Sequence, residues 1–188
     1  MTTPGSGSFR PRSEQVVHEG HIITVAVGTF EAPDGSTFQR DIVRHPGAVS
    51  VVPLLDDGRV IMVRQYRSAI DRLLLEIPAG VRDVPDEEPT VTAQRELIEE
   101  VGRRAGRLDL LAHFFNTPGF SDEEQWVFLA RDLTSTDVDL QGVEEQHMTI
   151  EHVELADVLG LVQRGELVDA KSIIGLSLAQ LHLDAERG

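Results

Sequence analysis

Three glutamates in one short segment restrict most strongly what this chain can fold into. Residues 95–102 read Arg-Glu-Leu-Ile-Glu-Glu-Val-Gly, which places Glu96, Glu99 and Glu100 at positions i, i+3 and i+4. On an α-helix these positions share one face, and the apolar residues between them lie on another face. Like charges at this spacing repel one another and destabilise a helix. The segment therefore predicts either a solvated acidic face or a helix whose carboxylates hold a cation.

A hard cation suits such a face best, because Mg²⁺ and Mn²⁺ prefer carboxylate, carbonyl and water oxygens. Arg95 stands directly before Glu96 and could orient a carboxylate from behind. The chain has no cysteine, which excludes disulfides, thiolate metal sites and cysteine nucleophiles. Its 17 basic and 32 acidic residues give a net charge of −15. This excess argues against a nucleic-acid-binding surface and against docking on an anionic membrane.

The pattern around the helix predicts an α+β fold. Branched residues interrupted by the turn signal Pro33-Asp34-Gly35 predict a small antiparallel sheet over 16–44. Two apolar runs on either side of Asp56-Asp57-Gly58 indicate a hairpin. No regular alternation of strand and helix appears, which favours α+β over α/β. Further strands are expected at about 73–77, 108–115, 125–133 and 148–154, and helices at about 90–101, 155–164 and 169–183.

The chain divides into a tail, an extension and one main domain. Residues 1–12 have almost no apolar content and are expected to be a disordered tail. Residues 13–45 form the N-terminal β extension, and residues 46–188 form the main domain. The N-terminus lacks the apolar core of an export signal, and the longest apolar run, at 48–55, is too short to span a bilayer. We therefore expect a cytoplasmic protein with no membrane partner.

The residues that flank the glutamate helix extend the signal. Glycine and charged residues recur at fixed spacings, at Gly80, Glu87, Arg95-Glu96, Glu99-Glu100 and Gly102. This string resembles the Nudix box, G-x5-E-x7-R-E-U-x-E-E-x-G-U, where U is a bulky apolar residue. Its first spacer is one residue longer here, and Arg103 takes the last apolar position. Asp86 would fit the unshifted first spacer, but the seven-residue gap to Arg95 favours Glu87.

The resemblance implies the Nudix fold, a mixed β-sheet sandwiched between α-helices, with residues 46–188 as the hydrolase domain. It also implies hydrolysis of a diphosphate with Mg²⁺ or Mn²⁺ as cofactor. Glu96 and Glu100 are the implied leading metal ligands, with Glu99 as a third and the Ala79 carbonyl as a backbone ligand. Family members take the catalytic base either from the box or from a later loop, so Glu99 is also a candidate for that role.

Three further segments narrow the resemblance to the ADP-ribose pyrophosphatase subgroup: Arg64-Gln65-Tyr66-Arg67, Leu75-Glu76-Ile77-Pro78-Ala79-Gly80 and Thr117-Pro118-Gly119-Phe120-Ser121-Asp122-Glu123. In that subgroup the β extension pairs across a homodimer and helps to form the substrate site. The implied reaction splits ADP-ribose into AMP and ribose 5-phosphate. The candidate substrate-binding residues are Arg64, Arg67, Glu76 and Phe120. Arg67 could place two donors on a phosphate or be a surface ion pair, and Glu76 could bind ribose, adenine or a loop amide.

The subgroup also has a catalytic glutamate in the loop that here spans 134–147. Glu144 and Glu145 are the candidates, and Glu145 is preferred because it lies three residues before the strand expected at Met148. Solvation of an acidic loop is the alternative explanation for both.

Two other functions remain open. The same machinery could cut another nucleoside diphosphate sugar, such as a GDP- or UDP-sugar, and the scarcity of Trp and Tyr leaves the nucleobase undecided: Phe30 and Phe38 are adenine neighbours or core residues. A non-catalytic Nudix domain that senses a ligand is the alternative of a different class. The intact glutamates of the box and the absence of spare length for a fused module disfavour it.

Overall fold

The computed structural model describes residues 8–137 and 146–188. In this part of the chain ten strands and three α-helices alternate irregularly, which confirms the α+β class. The strands are β1 (Arg10–Glu19), β2 (Thr24–Glu31), β3 (Thr37–Arg44), β4 (Ala48–Pro53), β5 (Arg59–Arg67), β6 (Arg72–Glu76), β7 (Ala79–Val81), β8 (Arg103–Phe115), β9 (Glu124–Ser135) and β10 (Thr149–Glu154). The helices are α1 (Pro89–Val101), α2 (Val158–Gln163) and α3 (Ala170–Arg187).

The chain forms two compact units, and the first comprises Met1–Gly47 and Phe115–Glu124. Its sheet has the antiparallel order β1-β2-β3, which confirms the predicted meander. Strand β1 already begins at Arg10, inside the expected tail, so that expectation was too long. Low apolar content does not predict where this strand begins, because β1 is exposed along its whole length. Backbone pairing with β2 and an ion pair between Arg12 and Glu31 hold it in place.

The second unit, Ala48–Phe114 and Gln125–Gly188, contains two sheets with the orders β10-β5-β6 and β7-β4-β9-β8. Strands β4 and β9 run parallel, with Val49 opposite Trp126. The hairpin expected around Asp56-Asp57-Gly58 was therefore wrong. After a single bridge between Leu54 and Val60, β4 and β5 separate into different sheets. The reason is burial, since every residue of β4 is buried and its partners come from distant parts of the chain.

Strand β4 divides the interior into two apolar cores, because its alternate side chains point to opposite faces. Val49 and Val51 join the core beneath α1, whereas Val52 joins the core beneath α2 and α3. Helix α3 approaches the sheet closely at Gly175, where a Cβ would lie 2.9 Å from a methyl carbon of Val127. None of the helices in residues 8–137 and 146–188 is both long enough and apolar enough to cross a membrane.

Candidate active site

Helix α1 carries the three glutamates, and its ends follow local sequence signals. Pro89 occupies the first turn, and Gly102 ends the helix in the left-handed conformation with φ of 60°. The predicted span of 90–101 is thus confirmed to within one residue. Glu96 and Glu100 are 7% and 3% exposed. A solvated acidic face does not describe these two carboxylates, since both lie within the protein.

Strand β7 meets the buried glutamates through its backbone. The N–H of Ala79 donates a hydrogen bond to Oε2 of Glu100 at 3.0 Å. A Cβ at position 80 would lie 1.9 Å from Cδ of Glu96, so only glycine leaves room for this carboxylate. The structure therefore brings together four residues that the sequence analysis named, Ala79, Gly80, Glu96 and Glu100.

The guanidinium of Arg95 provides countercharge for the acidic face. Nη1 of Arg95 donates to Oε1 of Glu96 at 2.8 Å and to Oε2 of Glu99 at 3.3 Å. Its Nη2 lies 3.5 Å from Oε2 of Glu87, which also accepts a hydrogen bond from the Thr92 hydroxyl at 2.7 Å. Burial alone would lower the pKa of Arg95, but the surrounding carboxylates, Glu96 first, outweigh it and raise the pKa. Arg95 thus orients the carboxylates of the box.

The donor chemistry of this face fits a hard divalent cation. One nitrogen of the Arg95 guanidinium contacts both Glu96 and Glu99, so these two carboxylates already converge on one positively charged group. The nearby groups are all oxygen donors, as Mg²⁺ and Mn²⁺ require. Within residues 8–137 and 146–188, no three His, Cys, Asp or Glu side chains are already arranged around one metal-sized point. Binding would therefore have to draw the carboxylates away from Arg95, and the metal ligands remain a prediction.

Two candidate substrate-binding residues, Arg67 and Glu76, bind each other. Nε and Nη2 of Arg67 donate to the two carboxylate oxygens of Glu76 at 2.7 and 2.5 Å. The side chain of Glu76 is 1% exposed and also forms an ion pair with Lys171. Burial would raise the pKa of the Glu76 carboxyl, but the hydrogen bond from Arg67 and the charges of Lys171 and Arg67 lower it overall. The carboxylate faces these cations, whereas the Arg67 side chain is 41% exposed.

The remaining candidates contact other residues. Arg64 pairs with Glu151 of the neighbouring strand β10, with Nε and Oε1 2.5 Å apart. Phe120 belongs to the first unit, where it is exposed and lines a cleft of about 330 Å³ together with Phe9, Phe30 and Phe38. The rings of Phe30 and Phe38 stack with their centroids 5.5 Å apart. Glu144 and Glu145 lie outside the described residues.

Comparison with known proteins decides the family. A model of the NUDIX domain matches residues 44–174. The chain belongs to the Nudix family. This membership confirms the resemblance drawn from the box.

Three relatives of this Nudix chain cover most of its length. It is 38% identical over 169 residues to the ADP-ribose pyrophosphatase of Bacillus subtilis (strain 168), covering 90% of this chain and 91% of the relative. It is 38% identical over 168 residues to the ADP-ribose pyrophosphatase of Mycobacterium tuberculosis (strain ATCC 25618 / H37Rv), covering 89% and 81%. It is 33% identical over 170 residues to the methanol dehydrogenase activator of Bacillus methanolicus, covering 90% and 91%. Together with the family match, the two ADP-ribose pyrophosphatases confirm the predicted enzyme class, a Nudix pyrophosphohydrolase.

The fold of this Nudix chain also has a solved counterpart. A structure described as the crystal structure of ADP compounds hydrolase superposes with a TM-score of 0.84 at 23% identity and covers 98% of both chains. The Nudix fold predicted from the sequence is thus confirmed.

Two groups that contact the box or Glu76 were not predicted from the sequence. The guanidinium of Arg82 lies 4.5 Å from the ring centroid of Trp126, on which His113 also stacks, and Arg82 donates to the carbonyl of Glu87 at 2.8 Å. Lys171 contacts Glu76 from helix α3. One signal could have pointed to Lys171, because it is the only lysine among 188 residues.

Proposed function

We propose that this Nudix chain hydrolyses ADP-ribose to AMP and ribose 5-phosphate with Mg²⁺ or Mn²⁺. The observation that carries the proposal is the convergence of Glu96 and Glu99 on one cation-accepting point, beside a glycine backbone that leaves room for Glu96. The choice of ADP-ribose is supported by the two ADP-ribose pyrophosphatases at 38% identity.

The reaction consumes one water molecule. Its oxygen adds to a phosphorus, the bridging P–O bond breaks, and the displaced phosphate leaves on the other product. A bound divalent cation supplies charge neutralisation on the diphosphate and a more acidic water. We assign its binding to the carboxylates of Glu96, Glu99 and Glu100 and to the carbonyl of Ala79. These are oxygen donors, and the hydrogen bonds hold them in two groups: the N–H of Ala79 binds Glu100, and Arg95 binds both Glu96 and Glu99.

The other protein groups bind the substrate and accept the proton. The exposed Arg67 suits a phosphate oxygen, since a guanidinium offers paired donors in a fixed plane. A glutamate carboxylate takes the proton of the attacking water, and Glu99, Glu144 and Glu145 are the candidates. Arg64 remains a candidate for a further substrate contact. The aromatic cleft with Phe120 has the flat apolar rings that a nucleobase stacks on.

We also propose that the protein is a homodimer formed through its N-terminal sheet. Strand β1 lies at the edge of that sheet, and Val16 and Val17 on it are exposed. An exposed edge strand of ten residues presents a row of backbone N–H and C=O groups, which is typical of a surface that pairs with another chain.

A substrate panel tests the proposed reaction. Phosphate release after coupled phosphatase treatment is measured with ADP-ribose, ADP-glucose, GDP-mannose and UDP-glucose, each with Mg²⁺, Mn²⁺ or EDTA. We expect metal-dependent hydrolysis with a preference for ADP-ribose. A preference for a GDP- or UDP-sugar would retain the chemistry and refute the substrate. Binding without turnover on any of them would support a ligand-sensing domain instead.

A further inference from the structure

Helix α3 reaches the proposed diphosphate site through its first turn. Asp169 caps the helix by accepting from the backbone N–H of Ser172 at 3.0 Å. The hydroxyl of Ser172 donates to Asp169 at 2.5 Å and accepts from the backbone N–H of Ile77 at 2.8 Å. This turn therefore binds the chain immediately before Pro78-Ala79-Gly80, the segment that meets Glu96 and Glu100. Lys171 extends from the same turn to Glu76.

Lys171 lies between two carboxylates. Its ammonium forms an ion pair with Glu76 and another with Asp169 at 3.0 Å, and its side chain is 13% exposed. A Lys ammonium is a compact charge with three donors, whereas a guanidinium is a broad planar fork. The chain uses arginine at the other sixteen of its 17 basic positions. Its one lysine thus stands where two carboxylates share one small cation.

The contact with Glu76 affects how Arg67 is presented. Arg67 uses one edge of its guanidinium, Nε and one hydrogen of Nη2, to bind Glu76. The Nη1 edge therefore faces away from this carboxylate. Glu76 can hold Arg67 in this way only while it is ionised, and a buried carboxylate stays ionised only beside positive charge. Glu76 stands three residues before Ala79, whose N–H binds Glu100, so a short segment of chain connects the Arg67–Glu76 pair to the box.

We infer that Lys171 is a positioning residue for the substrate diphosphate: its ammonium holds the Glu76 carboxylate, which in turn orients the free edge of Arg67 toward a phosphate oxygen. The inference rests on the proposed function and extends it to a residue outside the box. Without Lys171, the carboxylate of Glu76 would have Arg67 as its remaining cation, and the local charge facing an anionic substrate would fall by one unit. Both changes weaken diphosphate binding.

Steady-state kinetics of Lys171→Met test the inference, because methionine keeps an unbranched apolar stem and removes the charge. Arg67 holds the phosphate before and during the reaction, so its misplacement should raise KM and leave kcat nearly unchanged. A tenfold to hundredfold rise is expected, on the order of the loss of one hydrogen bond to a charged group. Arg59→Met is the matched control. This control removes one charge from an exposed ion pair with Asp57, at the other end of β5 and roughly 26 Å from Arg67.

An unchanged KM in folded Lys171→Met would overturn the inference while the proposed function stands. Equal effects of Lys171→Met and Arg59→Met would overturn it too, since they would reflect net charge alone. A wild-type protein that neither binds nor hydrolyses any nucleoside diphosphate would overturn the proposed function, and the inference with it.

A second measurement needs no substitution at Lys171. Because the chain has one lysine, protein labelled with [13Cε]lysine gives a single side-chain NMR signal. We expect the chemical shift of this signal to change when Mg²⁺ and the α,β-methylene analogue of ADP-ribose are added, and to remain unchanged when adenosine is added. In Arg67→Met the analogue should no longer change the chemical shift. A purely structural lysine would not respond. A signal that stays unchanged while calorimetry records binding of the analogue would refute the positioning role.

Discussion

Replacing Gly80 by alanine should displace the carboxylate of Glu96, because the added Cβ would stand 1.9 Å from its Cδ and 2.2 Å from both of its oxygens. Glu96 is buried and bound to Arg95, so its side chain cannot simply turn into solvent. Overpacking of this kind costs about 1–3 kcal/mol of unfolding free energy. The rate of hydrolysis should fall by much more than this loss of unfolding free energy would explain, since the displaced carboxylate is a proposed metal ligand.

A double-mutant cycle isolates this contact. The three atoms nearest to the added Cβ all belong to the Glu96 side chain. In a Glu96→Ala background, Gly80→Ala should therefore cost almost nothing, and urea unfolding should yield a coupling energy of about 1–3 kcal/mol between the two changes. Gly119→Ala is the stability control, since nothing lies within 4 Å of a Cβ there. Additive energies for Gly80→Ala and Glu96→Ala would refute the proposed clash.

Three further predictions concern the box, the buried ion pairs and the oligomer. Glu100→Gln should keep the fold, because its amide oxygen can still accept from Ala79, yet lower turnover by several orders of magnitude; wild-type turnover would contradict the metal assignment. The pKa of Glu76 lies below its ordinary value of 4.5, so its carboxylate stabilises the folded state above about pH 4.5 and loses this effect as the pH falls through the folded pKa. Glu76→Gln should accordingly flatten the acid limb of unfolding free energy against pH, and an unchanged limb would exclude this source. Light scattering at micromolar concentration should give the mass of a dimer, whereas a monomer's mass would rule out pairing through β1.

Local signals in the sequence were sufficient for the helix of the site. Its apolar period, Pro89 and Gly102 all lie within one short segment, and α1 begins and ends where they indicate. Strand pairing could not be predicted from such local signals. A turn at Asp56-Asp57-Gly58 does exist, but β4 continues into a parallel pair with β9, whose residues stand 77 positions later in the register. A hairpin signal reports only neighbours in sequence, so it could not exclude a distant partner.

The roles of individual side chains depended on contacts equally distant in sequence. The motifs predicted Arg67 and Glu76 as substrate-binding residues, but they could not show that these two residues pair with each other. The contact of Glu76 with Lys171, 95 residues away, depends on how the first turn of α3 lies against Glu76 and Ile77. Glu96 and Glu100 were identified from spacing, whereas their burial depends on how α1 lies against β7. Spacing identifies which groups share a face, and the tertiary structure decides which of them water reaches.

Strand β4 has a consequence for how the second unit opens. It supplies Val49 and Val51 to one apolar core and Val52 to the other, so neither core can lose its packing without exposing a strand that the other also needs. Amide hydrogens of β4 should therefore exchange with solvent only when the whole unit unfolds, whereas those of the exposed edge strand β1 exchange through local opening. The strand that pairs with β7, next to the buried Glu96 and Glu100, should thus be among the last parts of the second unit to exchange its amide hydrogens.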